Sequence, residues 1–180
     1  MRHALVLVCV LALWPILTEA ACRASNAAQV VQVLERGIDI NERFKRSVNS
    51  GDESTYKALR KQNEQYSEKT ALPCVRRVVE LLDHALDESL LRKLMEYTIS
   101  RQNSADETVA EAMATAYARH PDAVAAGVAS FDPARAKVLL RSIESGWAGV
   151  SKTLGSSVSQ ERENQLKAMR TDWAKGAATK

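Results

Sequence analysis

Aromatic residues, glycine and proline are all scarce: 5% of the 180 residues are Phe, Trp or Tyr, with seven glycines and four prolines. Strands draw on aromatic and β-branched side chains, and the tight turns between them draw on glycine, so the shortage argues against sheet. No stretch alternates apolar and polar residues for long enough to make a strand. A surplus of one charge is missing too. Lys+Arg number 25 against 22 Asp+Glu, a net +3, which is too balanced for the concentrated basic face that nucleic acid requires. There is no G-x-S-x-G nucleophile elbow, no H-E-x-x-H and no C-x-x-C, and histidines number only three. No cofactor or metal is expected.

What is present begins with a leader. Met1-Arg2-His3 is a short positive start, Ala4 to Leu17 is an apolar run interrupted by Pro15, and Thr18-Glu19-Ala20-Ala21 ends it in small residues, the layout of a secretory signal. The run is too short to span a bilayer, which takes roughly 20 apolar residues. Cleavage after Ala20 divides the chain into a signal peptide (1–20), a helical domain (21–175) and a frayed tail (176–180). No later run qualifies as a transmembrane segment, so the mature protein is expected in the periplasm or outside the cell. Cys22 stands where a lipoprotein would carry its anchor. A lipobox, however, wants an aliphatic residue three places earlier, where this chain has Glu19, and plain cleavage is favoured.

Cys9 leaves with the leader, so Cys22 and Cys74 remain in an oxidising compartment and are expected to pair. If residues 25–48 run up and 53–72 run back, both cysteines flank one end of a helical hairpin. That places them within plausible reach of the ~5.5 Å Cα separation of a disulfide.

Apolar spacing of three and four predicts an all-α bundle of about six to eight short helices. Ser25 caps the first, whose inward set is Val30, Val31, Leu34, Ile38, Ile40, Phe44 and Val48. Asp52 caps the second, with a thin stripe of Tyr56, Leu59, Asn63, Tyr66 and Thr70 suited to an edge. Pro73 opens a third at its first turn, with Val75, Val78, Val79, Leu82 and Leu86 inward. Leu90, Leu91, Leu94, Met95 and Thr98 form the core face of a fourth. Ser104 to Glu107 reads as a capping box opening a helix on Val109, Ala112, Met113, Ala116 and Tyr117, whose alanines imply close helix approach. A short segment from Ala123 to Ala129 follows. Asp132-Pro133 opens a helix on Val138, Leu139, Ile143 and Trp147. Glycines and serines predict a loose connection over 148–157, and a last helix over 159–174 presents Leu166, Met169 and Trp173.

Candidate chemistry is sparse. Glu80 and His84 share a helix face beside Asp83, and read best as surface ion pairing. His120 reads as a helix-end residue bonded to the last carbonyls of its own helix. Two carboxylates can cleave glycosides when burial raises the pKa of one, which makes Glu35 with Asp39, or Glu80 with Asp83, the residues of an envelope glycan-cleaving enzyme. The alanine-rich stretch 105–129 would wall the cavity of a carrier for a small apolar ligand. Neither reading leads. Arg43, Lys45, Arg46, Lys57, Arg60 and Lys61 flank the turn at Gly51 and would form a positive end suited to an acidic partner protein. The expectation is a non-enzymatic, exported protein-binding module: an inhibitor or immunity-type antagonist of an envelope-acting toxin, or an envelope adaptor.

Overall fold

The computed structural model describes residues 21–102 and 106–178, the side chains of 176–178 excepted. The predicted leader and Ser104 lie outside the described residues. Among the described residues every regular element is helical: α1 (Ala27–Val48), α2 (Glu53–Tyr66), α3 (Leu72–His84), α4 (Glu88–Ser100), α5 (Glu107–Arg119), α6 (Pro121–Ala129), α7 (Pro133–Val150) and α8 (Ser156–Ala178). A π-helical turn, Ser67–Ala71, joins α2 to α3, and a 3-10 turn, Ser151–Thr153, follows α7. None of these helices is long and apolar enough to cross a membrane.

Caps fix most helix starts. Asn26, one residue past the expected Ser25, accepts from the Gln29 N–H to start α1. Asp52 starts α2, Asp87 α4 and Asp132 α7 in the same way. Asp106 caps α5 by accepting from the Thr108 N–H. The passage from α2 to α3 is a different case. Pro73 has no N–H, and its ring would strike the carbonyl of the residue four back in an ordinary helix. Widening into a π turn, in which Leu72 N–H donates to the Ser67 carbonyl, carries the chain past this point without a loop.

Helix α5 lies at the centre. Of its 13 residues, eight are buried, including Val109, Met113, Tyr117 and five alanines. It packs on α7, α3, α6 and α4, and α1 packs on α2, α3 and α4. Tyr97, Tyr117, Leu94, Met95, Met113, Leu139 and Ile143 fill the interior. Trp147 sits in it edge-on to Tyr117, 5.7 Å between ring centres. The Tyr117 hydroxyl donates to the Arg162 carbonyl at 2.6 Å, and burial pushes this phenol up to about 12. On the last helix, Leu166 is buried, Met169 and Trp173 are half-buried, and the Trp173 indole N–H donates to the Pro133 carbonyl at 3.0 Å.

Cys22 and Cys74 form a disulfide with their Cα atoms 4.7 Å apart. It ties the segment before α1 to the first turn of α3, and closing a loop of this length contributes about 4 kcal/mol in the chain-entropy account.

Three expectations need correction. Val48 is 57% exposed and Leu86 44%, because α1 ends at Val48 and α3 ends at His84, before either can turn its last apolar residue inward. The expected loose connection over 148–157 is mostly helix, since α7 runs through Gly146 and Gly149 to Val150. Gly146 is there for contact: a Cβ on it would lie 2.2 Å from the Ala110 carbonyl oxygen, so α5 and α7 cross backbone to backbone. Helix α8 spans Ser156–Ala178.

The two α7 glycines make opposite predictions. Gly146→Ala should force α5 and α7 apart and cost about 2–3 kcal/mol, lowering Tm by several degrees. Gly149→Ala meets nothing within 4 Å and should raise stability by roughly 0.5–1 kcal/mol, as alanine does in a helix interior. Thermal melts of the two variants check both signs.

Candidate functional site

The chain reverses between α1 and α2 at Gly51, whose φ of +72 lies in the left-handed region that glycine occupies without strain. Phe44 and Tyr56 then face each other with ring centres 5.6 Å apart, and the Tyr66 hydroxyl donates to the Val33 carbonyl at 2.9 Å. No residue of α2 is buried, in keeping with its thin stripe. The two basic groups lie on the two helices that flank this turn. Both are largely offset by acids of their own helices. Arg43 pairs with Asp39 at 3.9 Å, Lys45 with Glu42 at 2.9 Å, Lys57 with Glu53 at 2.7 Å and Arg60 with Glu64 at 2.8 Å. Arg46 and Lys61 have no ion-pair partner among the described residues, and Val48, at the end of α1, is exposed. All six cations have an acid three or four places away in sequence, and the fold pairs four of them.

The other candidate residues are spread out. Glu35 is exposed and pairs with Lys93 of α4 at 3.2 Å. The Lys93 ammonium, which also donates to Glu96, is pushed up mainly by that second bond. Asp39 pairs with Arg43, Glu80 with Arg77, and Asp83 with Arg119. Neither proposed carboxylate pair is buried, and burial is what a glycosidase acid uses to hold its proton. His84 is exposed. The His120 ring Nε2 lies 3.0 Å from the Leu82 carbonyl, so the side chain bonds the last turn of α3, while the His120 backbone N–H donates to the Ala116 carbonyl of α5. Among the described residues no group of three His, Cys, Asp or Glu is arranged to hold a metal.

Several hollows open on the surface among the described residues, three of them of about 430–500 Å³. One, of about 500 Å³ between α4 and α6, is lined by Leu91, Met95, Ala123, Ala126 and Gly127, with Glu88, Arg92 and Ser130 at its margin. A Cβ at Gly127 would come 2.7 Å from the Met95 thioether, so the glycine leaves this hollow its depth. A second, of about 500 Å³, lies over the disulfide beside Arg76, Arg77 and Glu80. The third, of about 430 Å³, lies where α4, α5 and α7 meet. Composition and periodicity could not have found the first and third, because each is made by helices distant in sequence.

A polar seam runs through the interior near the π turn. The Asn41 amide donates to Ser100 Oγ at 2.8 Å, and Arg101 donates to Ser67 Oγ at 2.7 Å and to Asp106 Oδ2 at 3.1 Å. The Tyr97 hydroxyl is buried beside this seam with no acceptor among the described residues, and burial pushes its phenol up, with Arg101 opposing.

No protein-family model, curated protein or solved structure is significantly similar to this chain.

At the α1–α2 turn, hydrogen bonds from Thr55, its hydroxyl foremost, and from Ser54 hold the Asp52 carboxyl down to about 2, against an ordinary 3.8. The folded value lies below the unfolded one, so the cap's contribution is fully present above the unfolded value and is lost as pH falls through about 2. A carboxyl-carbon NMR titration should find the Asp52 midpoint near 2, and Asp52→Ala should speed amide exchange at Ser54 and Thr55. A midpoint near 4 would refute the cap.

Proposed function

We propose that the chain is an exported protein-binding module, one domain whose N-terminal helical hairpin is stapled by the disulfide and whose outer end docks on an acidic partner protein. The observation that carries this reading is the exposure of Val48, the most exposed large apolar residue among those described, at the end of α1 in a hairpin whose two helices carry the six cations. Four of the cations are held by acids of their own helix. Such exposed pairs are worth a few tenths of a kcal/mol and exchange readily for a partner's carboxylates. Arg46 and Lys61 have no partner to give up among the described residues. Val48, with Phe44 and Tyr56 behind it, supplies apolar surface inside a charged rim, the layout of a protein interface. Within the class, an inhibitor or immunity-type antagonist of an envelope-acting toxin, or an envelope adaptor, fits a small helical body with an exposed docking end; that choice rests on analogy.

Export follows from the leader and agrees with the disulfide, since such bridges persist in oxidising compartments. The bridge also argues against a lipid anchor: a Cys22 sulfur bonded to Cys74 is not available to form a thioether.

A second reading, a carrier for a small apolar ligand, is favoured by the hollow between α4 and α6, whose size falls in the range of ligand sites.

The test is capture from envelope extract by the full mature protein. Its intact mass should begin at Ala21 without lipid, and the captured partner should be released as salt rises. Arg46→Glu with Lys61→Glu should reduce capture at least about tenfold, roughly 1.4 kcal/mol of binding, while leaving Tm unchanged. Capture of nothing, or equal capture by the double variant, overturns the docking end.

A further inference from the structure

We infer that the cleft where α4, α5 and α7 meet is a binding site for a short aliphatic carboxylate, whether a free acid or the C-terminal residue of a peptide. The site lies away from the α1–α2 end and does not depend on the docking reading.

The cleft holds about 430 Å³, the scale of a small-molecule site. Its apolar lining comes from Val109 and Ala110 of α5 and Val138 of α7, branched or small aliphatic side chains that suit a short hydrocarbon tail. Two guanidinium groups from different helices line the same space. Arg101, at the end of α4, is fixed by its bonds to Ser67 and Asp106, so its position costs a ligand little ordering. Arg141, on α7, has no hydrogen-bond or ion-pair partner among the described residues, which leaves all five of its N–H donors for an incoming anion. Ser142 and Ser145, on the same stretch of α7, add hydroxyls that can donate to a carboxylate oxygen.

The lining decides what kind of anion fits. Asp106 accepts from Arg101 and from Thr108 N–H, so its charge is offset inside the wall. Glu107 also lines the cleft and is exposed with no ion pair among the described residues. Its repulsion, like the attraction of the two arginines, doubles on a dianion, so the charges alone do not separate the two and the apolar lining does. With an aliphatic floor, the cleft favours a singly charged carboxylate with an apolar tail over phosphate. The crossing of α5 and α7 at Ala110 and Gly146 pins one wall at backbone level, so the space does not close by a slide of either helix.

The experiment is a titration of the isotopically labelled mature protein, followed by its backbone amide NMR signals. N-acetylvaline should give saturable shifts at residues 98–102, 106–110 and 138–145, with a dissociation constant of about 1 mM or tighter. N-acetylvalinamide, which has the same shape without the charge, and inorganic phosphate should not. Arg141→Gln, at an exposed position, should weaken N-acetylvaline about tenfold, and Val138→Trp should block it. Isovalerate binding as well as N-acetylvaline identifies a free acid as the ligand class, and binding of N-acetylvaline alone identifies a peptide terminus. Shifts that do not saturate, equal binding of the neutral amide, or an Arg141→Gln variant that binds as before each overturn the assignment.

Discussion

Where α5 crosses α7, the Ala110 carbonyl and the Gly146 backbone approach so closely that no side chain fits between them. The rest of the packing follows from that contact. A helix held this tightly can be enclosed on several sides only if its own side chains are small, and α5 buries five alanines. Alanines remove little apolar area from water, so the interior is filled from outside α5 by larger residues: Leu94, Met95 and Tyr97 from α4, Leu139, Ile143 and Trp147 from α7. The glycine and the alanines set the distance, and the larger residues supply the burial. A similar device recurs at Gly37, where a Cβ would come 2.7 Å from the Tyr97 ring, and it seats α1 against α4.

Much of this was legible because amphipathic helices write their inward faces at a fixed period. The sets on α4 and α5 are buried residue for residue. Periodicity has no end marker of its own, and that is why Val48 and Leu86 were misplaced: Val48 is the last residue of α1 and Leu86 lies beyond the end of α3. Gly146 shows a second limit. A glycine that loosens a chain and a glycine that lets two backbones touch look the same in one sequence, and only the opposing carbonyl distinguishes them. Cap placement was ambiguous for a related reason, since Ser25 and Asn26 can both accept from a first-turn N–H, and the fold takes the second.

Less of the candidate site could be read. The basic residues flanking Gly51 were visible, as were the acids that offset four of them, but whether the two groups meet depends on the Phe44–Tyr56 register. The cleft at α4, α5 and α7 could not be read at all. Its residues are spread over nearly fifty positions of sequence, and singly each has an unremarkable role: an aliphatic, a serine, an arginine. They form a site only because a close helix crossing leaves space beside it.

The two ends of the molecule are stabilised by different means, and this bears on what each can do. Around α5 the chain is held by dense packing, which resists small displacements and suits a cleft of fixed shape. Helix α2 has no buried residue, and among the described residues its attachment includes one aromatic pair, one tyrosine hydrogen bond, the Arg36 guanidinium over the Tyr66 ring, a cap and a turn. The disulfide compensates by fixing the chain where α3 begins, so α2 cannot detach at its base even though little holds its outer end. A segment tied at one end and sparsely packed along its length belongs to the low end of local stability, where binding surfaces are commonly drawn from. The covalent bond therefore allows α2 to do without core contacts, and leaves its outward face free of packing constraints.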